Sequence, residues 1–500
     1  MIRRFAHPRA LHAPAMIALG LLVIVAVELR AAGHAKLVSE AILGVLLVTV
    51  ISRRPAAWIS VLIVLVPLQF VIFGLLYRLH VPTAALRAGG ALKDAIVAGV
   101  VVAAMRESRS HRRKPDRLDV FAFAFLLIAT IYLLVPIGFI SQGLSNRSLA
   151  WRFDCEPVIA LIACRRLDLG DRGRRLVERS LLVTAAIVIG FGLLEFINKD
   201  EFYRVIVHVF YVRVYAAAVL HSFNLLIVDQ NTVAGTTVVR VGSVLFSPLS
   251  LAFWILLPSY VALRRAADRV RDPLVLIVAI GGPVTLVLTQ TRSAIAAGII
   301  GALFMLGRSG GPARARRRLA FGLLASTLLL VPVAAATTLS VRVDNGFSAS
   351  DVSTQGHIDR TTQAWHILLD HPFGLGLGTN PEVLGSGHTN FVSEDFYLQV
   401  GNETGLFAML AYTGALGLLA LALWRRARDG TPEASGPFAA GIALMLIGLV
   451  LHSLQVPAVA LTFFAIAGLG LAAPGPQTRT DALDEADASV DAPAGPVVHR

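Results

Sequence analysis

The residues of this chain best able to do acid–base chemistry or recognise charge are gathered in one place. Between Ser340 and Thr404, a polar interruption between two long apolar segments, stand Arg342, Asp344, Asp351, His357, Asp359, Arg360, His366, Asp370, His371, Glu382, His388, Glu394, Asp395 and Glu403. Connectors between membrane helices need only a few residues. A loop of this length and ionisable content therefore reads as a working part, the water-facing half of an active site on a membrane scaffold.

Two further stretches add cations. Arg240 opens the run Arg240-Val-Gly-Ser-Val-Leu-Phe-Ser247-Pro248, in which Ser247 can cap a helix and Pro248 suits its first turn. Arg240 then stands just outside the membrane, where it either serves a ligand or snorkels to lipid headgroups. Thr289-Gln-Thr-Arg292-Ser293 breaks two apolar runs into a tight hairpin. An arginine there is costly unless it meets an anion, and its planar fork suits bidentate binding of a diphosphate.

Two patterns in the polar stretch have plain structural readings. The run His371-Pro-Phe-Gly-Leu-Gly-Leu-Gly378 is not a dinucleotide fingerprint, because no strand precedes it and no helix with an acidic partner follows. Its glycines serve a sharp turn or a close backbone approach. Ser393-Glu394-Asp395 has the composition of a helix N-cap, with acids complementing the dipole.

The elements that must position these residues are apolar. With 56% hydrophobic and 15% charged residues, the chain reads as an all-α polytopic membrane protein. The net charge of +13 comes from arginines in short loops, the positive-inside pattern, and not from a nucleic-acid surface. Cys155 and Cys164 lie on one predicted helix, roughly 13 Å apart along it, too far for a disulfide, and have no metal-ligand neighbours.

Expected spans are Ala15–Leu29, Leu37–Ile51, Ala57–Tyr77, Gly89–Met105, Leu118–Ile140, a short Trp151–Cys164 that only partly crosses, and Leu176–Ile197. Pro248–Leu263, Pro273–Leu288, Ser293–Leu306, Leu319–Leu339, Phe396–Trp424, Pro437–Leu451 and Val456–Ala472 follow, for about 12–14 transmembrane helices in all. Residues 1–339 thus carry membrane helices with a long loop at 198–246. Residues 340–395 form a functional loop between late helices, 396–473 the last helices, and 474–500 a disordered cytoplasmic tail. Within the first loop, Phe202–Tyr215 has the pattern of an amphipathic helix in the headgroup layer. In the second, Ile358, Trp365 and Leu368-Leu369 make a similar apolar stripe, with Arg360, His366 and Asp370 pointing away from it.

Arg240…Phe246-Ser-Pro248, Thr289-Gln-Thr-Arg292-Ser293, Trp365…His371-Pro-Phe-Gly-Leu-Gly and Tyr397-Leu398…Glu403-Thr-Gly405-Leu follow one another as in the O-antigen ligase and O-antigen polymerase superfamily, which the chain resembles from about Arg240 to Trp424. The resemblance implies a metal-independent membrane glycosyltransferase without a cofactor. It would take glycan from a polyprenyl-diphosphate carrier, at the outer face of the cytoplasmic membrane, and transfer it to a glycan or lipid acceptor. Arg240 and Arg292 match the arginines expected to hold the diphosphate, and Arg360 and Tyr397 join them as substrate-binding candidates. The family usually shows His-Asn just before the Tyr-Leu pair, and here Glu394-Asp395 occupy those positions. Transfer to a hydroxyl benefits from a proton acceptor. Glu394 is the expected base or acceptor-orienting group, with His388 second and Asp395 as its partner or as a helix cap. A transporter of lipid-linked sugar or of a small anion is the rival reading. It would place ionisable groups and broken helices near the midplane.

Alternation of the arginine loops predicts that Asn198–Phe246 and Ser340–Ser393 share the extracytoplasmic side, opposite Arg308–Arg318. Cysteines introduced in the two long loops should react with an impermeant reagent from outside the cell. Labelling of those loops from the cytoplasmic side would end this topology.

Overall fold

Each long apolar run of the described chain folds into a helix, because in hydrocarbon only a helix or a closed barrel satisfies its own backbone polar groups. The computed structural model describes residues 35–81, 91–108, 115–140, 142–202, 230–233, 236–268, 272–308, 352–379 and 393–472. The expected spans Ala15–Leu29 and Leu319–Leu339, residues 203–215 of the amphipathic segment, His388 and the tail lie outside these residues.

The helices longer than one turn are α1 (Ala35–Arg53), α2 (Pro55–Arg78), α3 (Leu92–Ser108), α4 (Arg117–Leu134), α5 (Leu144–Cys164), α6 (Gly170–Ile197), α7 (Pro248–Asp268) and α8 (Pro273–Leu288). α9 (Arg292–Arg308), α10 (Val352–Asp370), α11 (Phe396–Thr404), α12 (Leu406–Arg428), α13 (Pro432–Ile447) and α14 (Pro457–Ala472) follow. One antiparallel hairpin, Gln230–Val233 with Thr236–Val239, interrupts this all-α architecture before α7. Among the described residues, α2, α4, α6 and α12 are long and apolar enough to cross a membrane, and α8, α9, α13 and α14 are shorter apolar helices.

Several boundaries differ from expectation: Leu118–Ile140 is helical only to Leu134, and Pro437–Leu451 becomes Pro432–Ile447. The run Phe396–Trp424 is not one span. It breaks at Gly405, whose φ of 87° no ordinary side chain adopts readily, into the nine-residue α11 and the longer α12. The segment expected to begin at Trp151 begins at Leu144 and makes a 21-residue helix. Its charges concealed it from a hydropathy reading, and they are neutralised by packing. Lys93 Nζ on α3 lies 2.6 Å from both Asp94 Oδ1 and Glu156 Oε2, while Arg152 reaches Asp94 at 2.5 Å and Glu156 at 3.3 Å. Two cations and two anions thus close a ring between α3 and α5, which removes most of the cost of charge in an apolar bundle. On the same helix, buried Asp154 accepts a hydrogen bond from Gln455 at 3.2 Å. Cys155 and Cys164 are both free and buried.

Contacts between helix ends show which ends lie together. At one end, buried Arg165 closes α5 against Asp116 and Asp119 at the start of α4, at 2.5 and 2.7 Å. At the same end Arg265 of α7 pairs with Glu178 of α6, and Arg174 and Arg426 donate to the carbonyls of Ala472 and Leu471 at 3.1 and 3.2 Å. This is the end that carries the arginines of the short loops. At the other end the Val241 N–H donates to the Leu288 carbonyl at 3.2 Å and the Phe396 N–H to that of Gly448 at 2.9 Å.

The glycine run is packed against the break in α11–α12. Leu375 and Gly376 donate their N–H groups to the carbonyls of Asn402 and Glu403, and Leu406 N–H donates to Pro372. The loop after α4 closes over the other side, with Ile140 N–H donating to Leu375 and Tyr132 Oη to Phe373. On α10, Ala364 and Leu368 face Leu398 and Met409. The expected stripe is therefore divided: Leu368 is buried, whereas Ile358, Trp365 and Leu369 are exposed along one face at i, i+7 and i+11, the pattern of a helix lying against lipid.

Gly376 has φ 118°, and a Cβ there would meet the Ile140 carbonyl oxygen at 2.6 Å. Gly376→Ala should therefore destabilise the protein by about 2 kcal/mol or more. Gly356 is the control, because its backbone is helical and an added Cβ would meet nothing within 4 Å. Gly356→Ala should be neutral or stabilise by up to about 1 kcal/mol. Thermal unfolding of the two variants in detergent makes the comparison.

Candidate functional site

Two groups of polar residues lie at the end of the bundle away from the arginine-rich loops. The first is built on the hairpin between α8 and α9. α8 stops where Thr289 Oγ1 turns back to donate to the Leu286 carbonyl at 2.6 Å, and Gln290 takes a left-handed φ of 52°. α9 then starts at Arg292 itself. A cation in the first turn of a helix opposes the dipole, so this position favours a bound anion, which would meet both the guanidinium and the helix's first N–H groups.

Arg240 is drawn onto the same hairpin. Its Nε donates to the Thr289 carbonyl and its Nη2 to Thr291 Oγ1, both at 2.9 Å. Arg240, from the segment before α7, thus bonds the turn whose next residue is Arg292. The segment behind Arg240 is held by a residue that sequence reasoning missed. Buried Glu195, near the end of α6, accepts from the backbone N–H groups of Gly242 and Ser243 at 3.1 and 2.6 Å. A lone glutamate at the end of a long apolar run was the available signal. Ser247 caps α7 as expected, accepting from Ser250 N–H at 3.3 Å.

The second group joins α10 to the start of α11. Glu394 forms ion pairs with His357 Nδ1 and with the Arg360 guanidinium. His357 and Arg360 are three residues apart on α10 and so share a face. Burial pushes the Glu394 carboxyl up, but His357 and Arg360 outweigh it and hold the group below its ordinary value. The lowered value favours the ionised form of Glu394 near neutrality. Its neighbour Asp395 does not raise its pKa, and a carboxylate held below its ordinary value is a poor proton acceptor near neutrality. Arg360, the expected substrate-binding arginine of this stretch, is also the partner of Glu394.

Asp395 is the N-cap of α11, accepting from Leu398 N–H at 2.9 Å, while Ser393 Oγ donates to the Asp395 carbonyl at 3.1 Å. Burial raises its carboxyl from 3.8 to about 6, against the opposing N–H bonds from Leu398 and Tyr397. Tyr397 donates its hydroxyl to the Met445 carbonyl at 2.9 Å, which ties α11 to α13. On the face of α11 below Asp395, at i+4 and i+7, Gln399 and Asn402 are buried with both ends of their amides unpartnered. Among the described residues, no group of three or more His, Cys, Asp or Glu side chains is placed to hold a metal.

An all-α polytopic membrane protein with an arginine-bonded polar turn and a broken helix at one end defines the class. Residues 274–424, from α8 into α12, match the family described as O-Antigen ligase. Over 146 residues the chain is 28% identical to an O-antigen polymerase of Salmonella muenchen, covering 27% of this chain and 33% of that protein. The chain thus spans about a third of that relative's length. Together these matches support the O-antigen ligase and polymerase superfamily. The matched segment includes Arg292, the glycine run, Glu394 and Asp395, and it leaves out Arg240.

Because its folded pKa is raised, Asp395 favours the folded state when protonated. Its contribution falls as pH rises from about 4 to about 6 and is level above that. Asp395→Asn keeps a good cap and removes the titration. Unfolding measured across that range should show a flatter pH dependence for the variant, with stability at neutral pH equal to or above that of the wild type. Parallel curves would remove the burial argument.

Proposed function

We propose that this protein is a glycosyltransferase of the cytoplasmic membrane, a polymerase or ligase. It moves glycan from a polyprenyl-diphosphate carrier to an acceptor hydroxyl at the extracytoplasmic face, in cell-surface polysaccharide assembly. The observation that carries this reading is Arg240 bonded to Thr289 and Thr291, on the turn whose next residue is Arg292. In the reaction the acceptor oxygen attacks the anomeric carbon as its bond to the diphosphate breaks. Negative charge grows on the departing diphosphate, where two preorganised guanidiniums act most strongly.

The acceptor proton needs a destination. His357, oriented through Nδ1 by Glu394, leaves Nε2 to accept it. In this reading a histidine from α10 takes the place of the one that the family usually carries at position 394. Glu394 orients and Arg360 balances its charge. The unpartnered amides of Gln399 and Asn402 offer donors and acceptors together, the complement of sugar hydroxyls. Against the transporter reading, the charged residues between α3 and α5 close on one another in a neutral ring.

Transfer from carrier-linked glycan by the purified protein tests these roles. Arg292→Lys should cost about a hundredfold in rate, because a point charge cannot replace the fork. His357→Ala should cost about a hundredfold or more, and Glu394→Gln less, since the base remains and only its orientation suffers. Full activity of His357→Ala together with loss of activity in His388→Ala would move the base to His388. Full activity of Arg292→Lys would remove the diphosphate site.

A further inference from the structure

Backbone strain in this protein is concentrated beside Arg240. Among the described residues, four that are not glycine have left-handed backbone. Three of them, Ser243, Phe246 and Gln290, with φ of 52°, 53° and 52°, lie just after Arg240 or in the turn that Arg240 bonds. A residue with a Cβ adopts this conformation at a cost, so its surroundings must hold it there. At Ser243 the holding group is plain. Gly242, with φ −109° and ψ −16°, is in the right-handed region, and Ser243 follows in the left-handed one. Two successive residues of this kind turn their N–H groups into one concavity that takes an anion. The anion is Glu195, whose Oε2 lies 3.1 and 2.6 Å from the two nitrogens.

A carboxylate is an expensive way to tie a loop to a membrane helix. Glu195 is 3% exposed, near the end of the long apolar α6. Three residues of α6 at i, i+4 and i+7 meet the segment. The Val188 carbonyl accepts from Ser243 Oγ at 2.7 Å, a Cβ on Gly192 would lie 3.4 Å from Val241 Cγ1, and Glu195 takes the N–H pair. On its other sides, Val241 N–H donates to the Leu288 carbonyl at 3.2 Å and Phe246 meets Phe70 of α2 edge-on. Arg240 is the residue that leaves this clamp, two positions before the first N–H that Glu195 accepts, and from there it bonds Thr289 and Thr291. Without the carboxylate the N–H pair loses its acceptor and Ser243 can relax out of the left-handed region. The chain just upstream then turns with it.

We propose that Glu195 is a positioning residue of the diphosphate site: it holds the strained Gly242–Ser243 backbone so that Arg240 stands on the α8–α9 turn before the donor arrives. The proposal rests on the reading of that turn as the diphosphate site, and it adds that donor affinity depends on a residue of α6 acting through Arg240. Calorimetric titration of the full-length protein in detergent with farnesyl diphosphate reads it. Glu195→Gln keeps the side chain's size, removes its charge and should weaken binding by about tenfold. Arg240→Gln should weaken it by more. The double variant should bind no more weakly than Arg240→Gln alone, because nothing is left for Glu195 to position. A tie that only stabilises the fold would leave the affinity of the folded protein unchanged, or the two losses would multiply. Glu195→Asp, which keeps the charge and draws it back by one carbon, runs the same cycle if Glu195→Gln does not fold. Wild-type affinity in the folded Glu195 variant, or a double variant whose loss is the product of the single losses, overturns the positioning role and leaves the diphosphate site standing. Wild-type affinity in Arg240→Gln removes Arg240 from the diphosphate site, and the positioning role falls with it.

Discussion

A helix broken inside an apolar bundle exposes backbone groups that must find partners, and most of this structure's site end follows from that requirement. Where α11 gives way to α12 at Gly405, the carbonyls of Asn402 and Glu403 and the N–H of Leu406 are taken up by the segment Pro372–Gly376. That segment can come close enough only because it is glycine-rich. A Cβ on Gly374 would lie 2.8 Å from Gly405 N, and one on Gly376 would lie 2.6 Å from the Ile140 oxygen. The glycine run is thus a backbone patch over a broken helix. α10 precedes that patch directly in the chain, and its Ala364–Leu368 face packs on Leu398 of α11. Together these constraints carry His357 and Arg360 to Glu394.

The same rule operates at the other turns. The stretch before α7 leaves the N–H groups of Gly242 and Ser243 for Glu195, and the α8–α9 turn leaves the Thr289 carbonyl for Arg240. Buried charge therefore repairs backbone, and each repair fixes a polar side chain in place. Elsewhere charge repairs charge. The Lys93, Asp94, Arg152 and Glu156 ring and the Arg165 clamp on Asp116 and Asp119 join α3, α5 and α4. One end of the molecule is consequently lined with clamped arginines, and the other with polar turns that hold cations near helix N-termini.

Much of the architecture was legible from hydropathy alone. α2, α6 and α8 lie where apolar runs of sufficient length predict them, because a membrane helix satisfies its own hydrogen bonds and needs no information from distant residues. The arginines at 240 and 292 were legible for the complementary reason: a cation in an apolar setting is expensive enough to stand out. α5 was partly hidden, since Arg152, Asp154 and Glu156 depress its hydropathy until α3 and Gln455 supply partners. The break at Gly405 was also hidden, because a single glycine in an apolar run ends a helix only when a neighbouring stretch of backbone stands ready to take its unpaired groups.

The sequence by itself determined that the chain is a helical membrane protein, which end of it carries the polar turns, and which arginines are out of place there. It also showed that the family's histidine is missing before Tyr397. Only tertiary structure decided what Glu394 meets in that place, because His357 and Arg360 belong to a different helix and reach it through the packing of α10 on α11. It likewise decided that Glu394 is held ionised while burial raises Asp395. Adjacent carboxylates look alike in a sequence. What separates them is which one meets cations and which one meets the low-dielectric interior, and both are properties of neighbours brought from elsewhere in the chain.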